Sequence, residues 1–187
     1  NHEKVEPEKK LYILLNKPRG VVTSVKDPHH KKTVMNYLNG VSGRVFPVGR
    51  LDIDVEGALL MTNDGELAYR LTHPKYEVPK VYLAWVRGKM PVEMAVRMEK
   101  GVKLDDGISR ASRVVVLNQG NTSTLIEITM REGRKREIKR MCARIGHEVL
   151  ELKRISIGNL QVGNLQPGEW RFLKDAEIQE LRRLVAL

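Results

Sequence analysis

Apolar residues recur along this chain in short blocks whose spacing switches between the alternation of a strand and the roughly 3.6-residue period of a helix. Leu11–Leu15 (LYILL) is a continuous apolar run closed by Asn16-Lys17-Pro18-Arg19-Gly20, which reads as a buried strand and a turn. Asp27–Lys32 is a polar loop, and Thr33 stands where it can cap a short helix through Leu38. From Arg44 to Gly65 acids and glycines interrupt the apolar residues, with a strand expected at Ala58–Thr62. Glu66–Leu71 reads as a helix ending before His73-Pro74. In the strand expected at Val81–Val86, Tyr82, Ala84 and Val86 share one face and Val81, Leu83 and Trp85 the other, both buried or in use. Pro91 opens a helix that Gly101 closes, and Arg113–Leu117 with Leu125–Met130 reads as a hairpin across Asn118–Asn121. A helix follows at Lys135–Ile145, a strand at Glu148–Leu152, and a last helix capped by Asp175 with Ile178, Leu181, Leu184 and Val185 at helical spacing. Hairpins and helices mix without strict β-α-β alternation, so the fold class is α+β.

The length of 187 residues suffices for one full domain with its own core. Residues 1–10, three Glu and three Lys around a single Val, cannot offset their ordering entropy and read as a linker or tail. Lys plus Arg number 33 against 23 Asp plus Glu, and the resulting charge of +10 calls for a polyanionic partner, nucleic acid before membrane. No apolar run is long enough to span a bilayer and no signal segment opens the chain, so it reads as soluble and intracellular. The single Cys142 excludes an internal disulfide framework and any zinc site built on two thiolates.

Arg131–Arg144 (REGRKREIKRMCAR) carries seven basic and two acidic residues. Laid on a helix, Ile138, Met141, Cys142 and Ile145 form a core face, Arg136, Arg140 and Arg144 an outward stripe, and Lys135 and Lys139 the border. The outward arginines suit phosphates, and a border lysine can bury its stem and present its ammonium to a buried anion. A solvated basic face is the plainer alternative. Asp52-Ile53-Asp54-Val55-Glu56-Gly57 imitates a calcium loop, but its twelfth position is Asn63 and an apolar strand replaces the exiting helix, so no metal is expected. On the plainer reading Asp52 caps a turn while Asp54 and Glu56 are solvated; on the chemical one, Gly49-Arg50-Leu51-Asp52 sets a partly desolvated carboxylate beside an arginine. No phosphate loop, dinucleotide fingerprint, zinc-hydrolase or elbow-serine motif occurs, and no cofactor is expected. The five histidines show no ligand spacing and read as structural or solvated.

Val48–Pro74 (VGRLDIDVEGALLMTNDGELAYRLTHP) resembles the pseudouridine synthases, in the branch that modifies bacterial ribosomal RNA. The resemblance runs from Leu11 over nearly the whole chain, through LLNKPRGVVTS, KVYLAWV, EGRKREIKRMCARIGHEVLELKRISIG and LQPGEWRFL. It implies an α+β fold with a bent, mostly antiparallel mixed sheet flanked by helices and a central cleft for RNA, formed by residues 11–187. It implies that Asp52, after Gly-Arg-Leu, is the essential aspartate, Tyr82 the active-site tyrosine of a Lys-x-Tyr strand, and Ile138-Lys139 the hydrophobic-basic pair. Arg50 matches the arginine beside the catalytic loop. Substrate contacts are then expected from Arg50, Leu51, Arg136, Ile138 and Arg140. Ala58 and Lys139 stand where relatives often have Leu and Arg, and the small RNA-binding domain that usually precedes the catalytic one has only residues 1–10 in its place. The implied reaction turns a uridine of ribosomal RNA into pseudouridine: the base leaves C1′ at N1 and rejoins through C5, the carboxylate acting as nucleophile or stabilising an electron-poor sugar. Tyr82 would stack on a flipped-out base and Arg50 fill the space it leaves. The implied protein is a cytoplasmic monomer acting on large-subunit RNA, with small-subunit RNA and a non-catalytic RNA-binding module as alternatives.

Overall fold

A computed structural model describes residues 3–4, 6–29 and 31–187, so the expectations for His2 and His30 fall outside the described residues. The strands are β1 (Tyr12–Lys17), β2 (Phe46–Pro47), β3 (Glu56–Thr62), β4 (Lys80–Arg87), β5 (Val102–Leu104), β6 (Gly107–Ser109), β7 (Arg113–Gln119), β8 (Ser123–Met130), β9 (Val149–Ile157), β10 (Leu160–Gln161) and β11 (Trp170–Phe172). The helices are α1 (Gly65–Thr72), α2 (Val92–Lys100), α3 (Glu137–Arg144) and α4 (Asp175–Leu184), with 3-10 turns at Val34–Tyr37 and Pro74–Tyr76. Nine strands form one mixed sheet with the order β11-β1-β3-β9-β4-β8-β7, β2 and β10 lying off that path on β3 and β9. This is the α+β class read from the sequence.

Apolar patterning explains the sheet. In β1, Leu14 enters one core while Ile13 and Leu15 enter another, and in β3 Ala58 and Leu60 part from Leu59 and Met61 in the same way. Both faces are buried, which is why LYILL and ALLM carry no polar alternation. By contrast β8 alternates buried and half-buried positions. A third core joins β4, β8 and β9 to α2 and α3 around Ala84, Val86, Met98, Ile126 and Met141. Among the described strands β3 and β9 make the one parallel pairing, Gly57 opposite Arg154. Gly57 has φ 133°, and a Cβ there would fall 2.1 Å from the Arg154 carbonyl oxygen, so close backbone approach demands glycine.

Several expected boundaries move. β1 continues to Lys17, β3 starts at Glu56, β9 runs on to Ile157, and the β5–β6 hairpin follows Gly101 where none was expected. The second face of β4 is only half used, because Trp85 remains 36% exposed. The last helix begins at Asp175 rather than being capped by it: Glu177 reaches back to accept from the Lys174 N–H at 2.9 Å. The expected helix start at Lys135 also fails. Arg136 sits at φ 53° and helical bonding begins with Glu137, whose buried carboxylate accepts from the Arg134 N–H at 3.3 Å and holds residues 133–136 in a loop. No helix among the described residues is long and apolar enough to cross a membrane.

Candidate active site

Leu51 and Val55 belong to the core around β4, whereas Val48 belongs to the core around α1 and α4. The segment between them therefore crosses from one core to the other, and a cleft of about 680 Å³ opens there over β4 and β9. Residues 17–23 pin this crossing segment from behind. Thr23 Oγ1 donates to the Leu51 carbonyl at 2.8 Å and accepts from the Leu51 N–H at 3.2 Å. The Gly20 N–H donates to the Ile53 carbonyl at 2.7 Å, and the Val55 N–H closes the turn onto the Asp52 carbonyl at 3.0 Å. Lys17 is fully buried and donates to the carbonyls of Pro18 and Val21 at 2.8 Å and of Ile53 at 3.4 Å. Burial lowers its pKa to about 8, against the pull of Asp54, Asp52 and Glu56. The run NKPRGVVTS is thus the scaffold of the Asp52 turn.

Opposite this turn, α3 brings Lys139 into the cleft. Its ammonium donates to Asp52 Oδ2 at 2.9 Å and to Asp54 Oδ1 at 2.7 Å. One cation serves two carboxylates, and Lys139 is the least exposed of the three, at 12% against 39% and 64%. Lys139 also holds the Asp54 carboxyl below its ordinary pKa. On the plainer reading Asp54 is solvated; it does stay largely exposed, but it is also held by Lys139. Glu56 turns aside, toward Arg19 and Lys153.

The other expected site residues divide. Arg50, Leu51, Asp52, Tyr82, Arg136, Ile138 and Lys139 all line the cleft. Leu51 and Ile138 are buried walls at 6% and 5% exposure, while Arg50 and Arg136 are exposed at the rim. Arg136 lines it from the loop before α3, not from a helical stripe. Arg140 does not join them. Its guanidinium grips Asp106 at 2.7 and 3.2 Å and donates to the Lys135 carbonyl at 3.0 Å, facing the β5–β6 hairpin. A free cation turned toward RNA was expected there, and an ion pair takes its place.

Two cations on the cleft floor, the half-buried Lys80 and the buried Arg154, escaped the sequence reading. Lys80 stands two residues before Tyr82 on the same strand face, and Arg154 pairs across from Tyr82. Arg154 is 4% exposed and its Nε donates to the Ala58 carbonyl at 2.9 Å, yet its buried Nη2 has no partner. Burial and the neighbouring Arg154 lower the pKa of Lys80. The Lys-x-Tyr alternation could have revealed Lys80; nothing in the sequence marks Arg154 as buried. The site as a whole is a partly exposed carboxylate turn facing an apolar and cationic wall, suited to an anionic polymer with one residue inserted.

Comparison with known proteins identifies the family. A sequence profile described as RNA pseudouridylate synthase matches residues 11–144. An uncharacterised RNA pseudouridine synthase of Aquifex aeolicus is 45% identical over 184 residues, 98% of this chain and 74% of that protein. The ribosomal large subunit pseudouridine synthase B of Bacillus subtilis is 40% identical over 186 residues, 98% of this chain and 76% of that protein. A solved pseudouridylate synthase superposes with a TM-score of 0.83 at 30% identity, covering 94% of this chain and 75% of that one. The chain belongs to the RNA pseudouridine synthase family and is an RNA isomerase with the pseudouridine synthase fold.

Proposed function

We propose that the chain isomerises a uridine of large-subunit ribosomal RNA and that Asp52 is the carboxylate acting at C1′. The observation that carries the reading is the Asp52–Lys139–Asp54 bridge on the cleft wall, an anion held in place beside a cavity large enough for a nucleotide. The large-subunit target draws its support from the Bacillus subtilis relative named for that subunit.

Each lining residue then has a role. The target base leaves its stack and enters the cleft, where Tyr82 stacks on it between the apolar walls Leu51 and Ile138. Lys139 fixes the orientation of Asp52 and tempers its repulsion from Asp54. Arg50 occupies the gap left in the RNA, and Arg136 meets the backbone. The bond from C1′ to N1 breaks with its electron pair on the ring; C5 returns a pair to C1′, loses its proton, and N1 gains one. Composition is unchanged, so the residues of the cleft suffice for the bookkeeping of atoms. Residues 11–187 form the catalytic domain, residues 1–10 a connecting segment, and the enzyme works as a cytoplasmic monomer.

The test is tritium release from ribosomal RNA labelled at uridine C5. Asp52→Asn keeps the size of the side chain and removes its charge, so release falls to below a few per cent of wild type while RNA binding persists. Release near the wild-type rate overturns the role of Asp52. Mapping pseudouridines in ribosomal RNA from cells with and without the protein identifies the target, and a change confined to the small subunit overturns the large-subunit reading.

A further inference from the structure

We propose that Tyr69, His73 and Tyr76 form a nucleobase-stacking platform at the mouth of the cleft, which takes an unpaired RNA base beside the one that enters it. The proposal rests on the reading of the cleft as the place where the target uridine is received.

The last turn of α1 runs into the 3-10 turn Pro74–Tyr76, and this bend sets the three rings in succession. The centroids of Tyr69 and His73 lie 5.5 Å apart, and those of His73 and Tyr76 lie 6.2 Å apart. His73, the middle ring, lines the cleft, so the row adjoins the cavity at its centre with Tyr69 and Tyr76 to either side. The ring of His73 is locked: Nδ1 accepts the Lys75 N–H at 3.1 Å, which assigns the imidazole proton to Nε2 and leaves that N–H without a protein partner among the described residues. Tyr69 is 63% exposed, the largest exposure of any aromatic side chain among the described residues.

A lone exposed tyrosine is ordinary. Three adjoining rings with two cations over one of them are a different matter in a chain that is only 5% aromatic. Arg70 and Lys75 lie 5.8 and 5.6 Å from the centroid of Tyr76. Arg70 is occupied by Glu66 and by the carbonyls of Val185 and Ala186, whereas Lys75 has no carboxylate partner among the described residues. The exposed ring of Tyr69, backed by the half-buried His73 and Tyr76 and with an uncommitted ammonium nearby, matches the two features of single-stranded RNA, flat base faces and phosphates. The chemistry of the reaction creates a need for such a surface, because lifting one base from its stack strips a face from each neighbour. Continuity with the cleft and the net charge of +10 favour RNA over a protein partner at this place.

The test is single-turnover tritium release from C5-labelled ribosomal RNA, read as the enzyme concentration that gives half the maximal rate. Tyr69→Ala raises that concentration about tenfold and Tyr69→Phe leaves it within about twofold, since the ring and not the hydroxyl does the stacking. The salt dependence of the Tyr69→Ala variant keeps the wild-type slope because stacking neutralises no phosphate, while Lys75→Met flattens it by about one contact. An unchanged half-saturation in Tyr69→Ala overturns the platform. So does an equal loss in Tyr69→Phe, or a concentration-dependent mass in sedimentation that Tyr69→Ala abolishes, which would make the face a contact between copies. Wild-type enzyme that releases no tritium from any ribosomal RNA defeats the reading of the cleft itself and takes the platform with it.

Discussion

The first turns of α3 face two ways, and the two faces use positive charge differently. Toward the cleft, one ammonium is shared by two carboxylates, and Lys139 is the least exposed member of the trio. Toward the β5–β6 hairpin, Arg134 and Arg140 both hold Asp106, and Arg134 also holds Glu132 and the buried Glu137. The hairpin side is saturated: its cations have acids, and its buried acid receives Ser109 Oγ at 2.7 Å as well as Arg134. On the cleft side the ratio is reversed within the trio, one ammonium to two carboxylates, so the Asp52 turn keeps a net negative charge opposite the cationic floor of Lys80 and Arg154. A saturated network fixes a loop; an unsaturated one keeps a carboxylate available for chemistry. Adjacent basic residues in sequence thus serve a reacting centre in one case and a scaffold in the other.

The largest effect is expected on the cleft side. Lys139→Met leaves Asp52 and Asp54 without their common cation, and single-turnover tritium release falls by about 100-fold or more with RNA binding little altered. A rate within about threefold of wild type would assign Lys139 to the scaffold and erase the contrast.

On the hairpin side the expected loss is of stability. Glu137→Ala strands Ser109 and the Arg134 guanidinium and costs about 2–3 kcal/mol, read from the urea midpoint. The same group gives a pH signature. Burial, and after it the neighbouring Glu132, raises the pKa of Glu137 above its ordinary value, so the folded chain holds that proton more tightly than the unfolded chain. Its contribution is fullest below the ordinary glutamate range and is lost as pH rises through the raised value. Glu137→Gln removes that pH dependence, and a Glu137→Gln melting curve that still tracks pH as wild type does would point to another group.

Behind the Asp52 turn, Lys17→Met deprives three backbone carbonyls of their donor while also relieving a buried charge. These effects oppose each other, and a net loss of about 1–2 kcal/mol is expected. A melting temperature equal to wild type would show that the turn holds itself.

How far the sequence reached depended on whether the deciding contact was local. The strands β1 and β3 were legible because burial on both faces leaves unbroken apolar runs, and Thr33 was legible as a cap because its partner Met35 lies two residues on. The seven cleft residues were legible through the resemblance, since Leu51 and Ile138 by themselves read only as core. The start of α3 was misread because basic residues extend the helical pattern smoothly, and only the inward turn of Glu137 cuts it short. The Asp54 contact was missed because its cation lies 85 positions away, and the ion pair of Arg140 was not foreseen because Asp106 lies 34 positions away. Lys17 and Arg154 defeat any reading by polarity: lysine and arginine read as surface residues, and their burial follows from backbone carbonyls that no one-dimensional pattern displays.

The smallest effect separates the two faces most cleanly. Arg140 and Asp106 are a partly exposed pair, 32% and 46% accessible, so water screens their attraction and little stability is at stake. Arg140→Met is expected to lower stability by only about 0.2–1 kcal/mol, with Asp106→Asn similar and the double substitution less than the sum. Raising salt to about 1 M shrinks the screening length to about 3 Å and should abolish the difference from wild type. Because Arg140 lies outside the cleft, tritium release at saturating RNA stays at the wild-type rate and the salt slope of RNA binding does not change. Were Arg140 to exchange Asp106 for a phosphate when RNA arrives, Arg140→Met would flatten that slope by about 0.7–0.9. That outcome would turn the hairpin face into part of the RNA surface, and the division of labour across α3 would be lost.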